Sequence, residues 1–164
     1  MSYAFKLLSY RGRSEKEMIE KLRMKGFDDS DIDRVIVRLR SAGFLDDRQL
    51  ASSLKRYAEE SKLLSVLGTK KLLAGRGVPK DLIQQTVEGI NETELARKLV
   101  EKKIASWTKY SPPGERQLTA DMIKKLYGVL FRRGYPPETI RRTLEKFKSK
   151  EDVELKNIWS LRFC

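Results

Sequence analysis

Leu130-Phe131-Arg132-Arg133-Gly134-Tyr135-Pro136-Pro137-Glu138 decides how this chain is read. An apolar helical run ends in two arginines and a glycine. A bulky residue follows, and a Pro-Pro pair restarts the chain. Glycine suits the left-handed position just past a helix C-terminus, and cations are favoured at that end of the helix dipole. Proline suits the first turn of the next helix. The stretch therefore predicts a helix, a tight corner and a second helix.

Working outward, the same unit occurs twice more. Leu22-Arg23-Met24-Lys25-Gly26-Phe27 precedes a helical pattern of Ile32, Val35, Ile36 and Leu39. Leu73-Ala74-Gly75-Arg76-Gly77-Val78 precedes Ile83, Thr86, Val87 and Ile90. After Gly134 the matching positions are Ile140, Thr143, Leu144 and Phe147. Each corner glycine has a leucine four residues back, a base one back and an apolar residue one ahead. The glycines lie 51 and then 57 residues apart. Self-similarity at such a period marks a repeat architecture. A unit of about 50 residues buries a small fraction of its surface and is marginal alone, so neighbouring units are expected to share contacts.

The rest of the chain fits three helices per unit. Residues 3–10 predict a first helix. Ser14-Glu15-Lys16-Glu17 reads as a capping box, the Ser14 hydroxyl accepting from the Glu17 amide and Glu17 reaching back. Asp28, Asp29 and Ser30 are candidate caps of the third helix. Either Asp46 or Asp47 can cap a fourth, with Leu50, Ala51, Leu54, Tyr57 and Ala58 as its apolar stripe. Ser65 is the expected cap of a helix over 66–75, and Pro79 opens the sixth. Asn91-Glu92-Thr93-Glu94 starts a long seventh helix ending near Trp107. Ser111-Pro112-Pro113-Gly114 reads as a linker. An eighth helix carries Leu118, Met122, Leu126 and Leu130, and a ninth runs over 136–147. No segment alternates with the period of a strand. The fold class is all-α, in three tandem three-helix repeats with helix-turn-helix-like corners: 1–47, 48–94 and 95–147, followed by a tail, 148–164.

The chain carries 35 Lys and Arg against 23 Asp and Glu, a net charge of +12. The excess is uneven: residues 95–147 hold 13 bases and 5 acids, whereas 3–47 hold 10 and 9, and 48–94 hold 8 and 6. A localised basic excess points to a polyanion or an acidic protein surface, the alternative being a solvated face that aids solubility. There is no histidine and one cysteine, Cys164. A Cys/His zinc site, a disulfide framework and a Ser-His or Cys-His dyad are thereby excluded. No phosphate-binding glycine loop is present, and no cofactor is expected. No apolar run approaches a membrane span. The expectation is a cytoplasmic, monomeric protein that is not an enzyme.

Gly26, Gly77 and Gly134 are read as structural, as are Leu45, Asp46 and Asp47, because an apolar helical stripe starts just after the two aspartates. Lys25, Arg76 and Arg133 fit as C-terminal helix cations. The third corner is denser than capping requires. Lys124, Lys125, Arg132, Arg133, Arg141 and Arg142 crowd around it, Lys102 and Lys103 lie on the preceding helix, and Arg76 holds the corresponding place in the second unit. These nine residues are the candidate binding set, with arginine forks suited to phosphate or carboxylate. Tyr127, Phe131, Tyr135 and Phe147 fall at or beside repeat core positions, so they are expected in the core. No copy carries clear base readers at the start of its second corner helix, which favours backbone or protein-surface contact over sequence-specific duplex reading.

At Ser14-x-x-Glu17, Leu22-x-x-Lys25-Gly26-Phe27, Gly43-Phe44-Leu45-Asp46-Asp47, Leu73-x-x-Arg76-Gly77-Val78 and Leu130-x-Arg132-Arg133-Gly134-Tyr135 the chain resembles the RecX family of bacterial recombination regulators. The resemblance spans 3–147. Gln49-Leu50 stands where the family often has Arg-Phe. The resemblance implies a non-enzymatic modulator of RecA. Such a protein binds the RecA–DNA filament, contacts DNA phosphates weakly, and reduces ATP hydrolysis and strand exchange in recombination and repair. It also implies an elongated, curved array of three-helix repeats. A stand-alone DNA-binding protein of helix-turn-helix type is the other reading.

Overall fold

The three glycine corners are built alike. Gly26, Gly77 and Gly134 have φ of +91°, +72° and +86°. At each corner the residue after the glycine donates its N–H to the carbonyl of the leucine four before the glycine. Phe27 bonds Leu22 at 3.3 Å, Val78 bonds Leu73 at 3.1 Å and Tyr135 bonds Leu130 at 3.2 Å. The glycine N–H donates to Arg23, Ala74 or Phe131 in turn. This paired bonding satisfies carbonyls that a helix C-terminus otherwise leaves open. The three leucines are buried, as are Ile32, Ile83 and Ile140 at the matching positions beyond each corner. The repeat pattern thus marks the core.

The computed structural model describes residues 1–108 and 119–147, and among these it is all-helical, with nine α-helices and no strand. The expected linker at 111–114, the helical assignment of Leu118 and the tail 148–164 lie outside the described residues. The chain divides into two compact units: Met1–Lys62 with Gly68–Ile90, and Leu63–Leu67 with the described residues from Asn91 onward.

The first unit holds α1 (Ser2–Tyr10), α2 (Glu15–Met24), α3 (Asp29–Ser41), α4 (Asp47–Arg56), most of α5 (Val66–Gly75) and α6 (Lys80–Val87). Helix α2 packs on α1 and α3, and α4 packs on α6. Met18, Leu22, Ile32, Ile36, Leu39 and Leu45 share a buried cluster with Ala4 and Leu7. The two adjacent aspartates cap different helices. Asp46 accepts from the Arg48 and Gln49 N–H groups of α4, at 2.8 and 3.0 Å. Asp47 reaches back 32 residues to accept from the Glu15 N–H of α2 at 3.0 Å. The start of α2 is therefore fixed both by its own Ser14 and by the segment that begins α4.

Three local expectations need correction. Ser14 Oγ does accept from the Glu17 N–H at 3.1 Å, but Glu17 does not close a capping box. Its carboxylate is taken instead by Arg11, at 2.9 Å to each oxygen, and by Arg76 at 3.2 Å. Two guanidinium partners outcompete one backbone N–H for a carboxylate, since charge-assisted bonds are stronger. Asp28 precedes α3 in extended conformation but makes no side-chain cap bond. The fourth helix does not run on smoothly: after Arg56 the backbone widens into a π-helical turn over Tyr57–Lys62 and then breaks at Leu63, a buried non-glycine residue at φ +48°. Tyr57, assigned to the apolar stripe, is 43 % exposed as a result.

The second unit holds α7 (Glu92–Trp107), α8 (Ala120–Arg132) and α9 (Pro137–Glu145), with α7 packed on both of the others and α8 on α9. Asn91 caps α7 by accepting from the Glu94 N–H, and Thr119 caps α8 by accepting from Met122. Leu99, Val100, Leu126, Leu130, Ile140 and Leu144 form its apolar interior. The segment Leu63–Leu67 belongs here through polar contacts. The Tyr135 hydroxyl donates to the Leu63 carbonyl at 3.0 Å, the Ser65 N–H donates to the Arg133 carbonyl at 3.2 Å, and the Val66 N–H donates to Glu92 at 2.9 Å.

Candidate nucleic-acid interface

Helix α8 buries Ile123, Leu126 and Leu130 along one stripe, as a 3.6-residue period requires. Its opposite surface therefore carries the residues between. Lys124, Lys125 and Arg132 are exposed there. They line a shallow groove with Met122, Gly128, Val129 and the half-buried Trp107 from the end of α7. Among the described residues no carboxylate lines this groove. Lys124 reaches Asp121 only at 4.0 Å, with both side chains well exposed, so the pair contributes little. Neither Lys125 nor Arg132 has an ion-pair partner among the described residues. Uncompensated cations on a concave surface focus a positive potential outward.

The rest of the expected binding set is dispersed. Arg142 pairs with Glu138 at 2.6 Å and lines a different groove with Glu94, Arg97 and Glu145. That second groove is of mixed charge: Arg97 is held by Glu94 and Glu101, which push its pKa further up. Lys102 and Arg141 are exposed and Lys103 is half-buried, and none of the three lines either groove. Arg133 is half-buried, its Nη1 has no hydrogen-bond partner among the described residues, and its carbonyl is used by Ser65. Arg76 is turned inward. It donates to Glu17 and, at 2.7 Å, to the Gly12 carbonyl, tying the second glycine corner to the segment that starts α2. Burial alone would raise the Glu17 pKa, but bonding and charge from Arg11 and Arg76 together hold it below the usual carboxylate range. Asp47 is shifted the other way, upward, by burial that its bond from the Glu15 N–H only partly offsets.

One aromatic assignment changes. Tyr135 is core, 2 % exposed, but Phe131 is 58 % exposed on α8 and stacks on Tyr127 at 6.3 Å between centroids. Trp107 is the residue that sequence reading missed. The sequence placed it only near the end of the seventh helix, and nothing in that helix marks it as a neighbour of Lys125 and Arg132. Only the packing of α7 on α8 does so.

The architecture is that of a helical-repeat protein. Residues 1–39 match the first three-helix domain of RecX, and residues 91–144 match the third. Over 153 residues the chain is 32 % identical to the regulatory protein RecX of Chlorobaculum tepidum, covering 93 % of this chain and 91 % of that one. It is 31 % identical to the regulatory protein RecX of Trichlorobacter lovleyi, over 87 % of this chain and 92 % of the relative. The fold is similar to the crystal structure of RecX from Lactobacillus salivarius, with a TM-score of 0.67 and 21 % identity over 89 % and 92 % of the two chains. The chain belongs to the RecX family of regulatory proteins.

Proposed function

We propose that this RecX-family regulator binds a RecA–DNA filament and lowers its ATP hydrolysis and strand exchange, acting without catalysis or a cofactor of its own. The observation that carries the reading is the α8 groove, which Lys124, Lys125 and Arg132 line with no carboxylate among the described residues. A filament exposes DNA phosphate beside protein, and such a groove suits that surface. The proposal includes the division into repeats 1–47, 48–94 and 95–147 with a separate tail, and a monomer that works in the cytoplasm. No helix among the described residues is long and apolar enough to cross a membrane. Binding through the cations predicts strong salt dependence, because each phosphate contact releases counterions.

Stand-alone reading of duplex DNA is less well supported. The helix after the third corner begins with Pro137 and Glu138, and Glu138 is engaged with Arg142. An acid at that position repels a major groove. Co-sedimentation tests the proposal: the protein is mixed with DNA alone, or with RecA, DNA and ATP. Pelleting that requires assembled RecA supports filament binding. Equal pelleting with DNA alone overturns it in favour of a general DNA binder.

A further inference from the structure

The α8 groove holds more than charge. Trp107 closes one side of it, and among the described residues its lining partners are three cations, the glycine Gly128 and two apolar residues, Met122 and Val129. A Cβ placed on Gly128 would come within 3.3 Å of Arg132 Nη1. The absent side chain lets the guanidinium lie back along the helix within the groove. On the far side, Phe131 follows Lys124 by seven residues, two helical turns, so the two share one exposed strip. Phe131 is presented outward and stacked on Tyr127 with planes 10° apart. Cations and aromatic rings thus alternate around the exposed surface of α8.

We propose that Trp107 with Lys124, Lys125 and Arg132 forms a binding site for single-stranded nucleic acid, one base lying against the indole and the flanking phosphates on the cations. This deepens the nucleic-acid half of the function proposed above and rests on it. The cations alone would accept any polyanion. The indole discriminates, because an unpaired base offers a free π-face whereas duplex bases are covered by their neighbours. An acidic peptide would engage the lysines and gain little from the ring. Arg132, lying along the groove, can contact phosphate or stack on the same base.

The test uses the full chain with Trp159→Phe, which leaves Trp107 as the sole tryptophan, and needs no RecA. Its fluorescence is followed on titration with an oligothymidylate about 16 nucleotides long, a duplex of equal length and inorganic polyphosphate. Strong quenching by the single strand, with little from duplex or polyphosphate, is expected. Trp107→Ala should weaken oligothymidylate binding about tenfold, read by anisotropy of a labelled strand, while Trp107→Phe keeps most of it. Unchanged circular dichroism of both variants separates loss of stacking from loss of fold. Equal quenching by duplex or polyphosphate, or unchanged affinity in Trp107→Ala, overturns the stacking site. Because RecA is absent, failure here leaves filament binding standing, and failure of co-sedimentation leaves this site standing.

Discussion

The Tyr135 hydroxyl donates a 3.0 Å hydrogen bond to the carbonyl of Leu63, a residue whose φ of +48° is unfavourable for a branched side chain. The two are 72 residues apart in sequence. The tyrosine follows the third glycine corner, so that corner also holds the carbonyl of Leu63. Tyr135→Phe keeps the ring and removes the bond, leaving a carbonyl at the buried Leu63 without this partner. It should cost about 1–3 kcal/mol, measured by urea denaturation. Burial chiefly, with Glu92 nearby, holds the Tyr135 pKa well above its ordinary value. The unfolded chain therefore ionises first as pH rises. This contribution to stability is complete below about pH 10 and is lost above it, and Tyr135→Phe should lack that alkaline loss.

Gly77 and Gly26 occupy matching corners but should differ in tolerance. Alanine at Gly26 meets no atom within 4 Å and carries only the strain of its positive φ, roughly 1–2 kcal/mol. At Gly77 the new Cβ would lie 2.6 Å from Ser14 Oγ, the atom that caps α2. Gly77→Ala should therefore be the more destabilising of the two in thermal melts. Equal melting temperatures would contradict the close approach of the second corner to the α2 cap.

Arg76→Ala should lower the melting temperature and leave filament binding intact, because its guanidinium is spent on Glu17 and Gly12. Glu17 has a depressed folded pKa, so its contribution is present above the unfolded value near pH 4.3 and is lost as pH falls through the folded one. Glu17→Gln should be less stable than the parent at neutral pH, with the gap closing on acidification. A constant gap from neutral to acid would remove Glu17 as the source.

The fold was legible because its determinants are local. Each corner is set by a glycine, a leucine four residues earlier and the apolar residue just after, and all three glycines adopt the expected positive φ. The candidate site was legible only in part. The charge excess pointed to the helix that carries Lys124, Lys125 and Arg132, but composition is blind to pairing. It could not separate Arg132, which has no acidic partner among the described residues, from Arg142, which Glu138 holds, or from Arg76, turned inward toward a carboxylate 59 residues away. The break at Leu63 has no local signature either, since its carbonyl partner comes from the far end of the chain. Trp107 needed the α7–α8 packing to reveal its neighbours.

RecA ATP hydrolysis on single-stranded DNA tests the claim that regulation runs through the third repeat most directly. The rate is measured with the parent, with Lys125→Ala/Arg132→Ala, and with Arg23→Ala/Arg34→Ala as the control. The control arginines sit in the near-neutral first repeat, in exposed ion pairs with Asp29 and Asp31. All three proteins should have the same helical spectrum, because exposed cations contribute under about 1 kcal/mol each. The groove pair is predicted to lose most of the inhibition and to flatten its salt dependence by roughly one unit of slope per lost phosphate contact, while the control inhibits like the parent. Full inhibition by the groove pair together with loss in the control would contradict the account and place the filament contact in the first repeat.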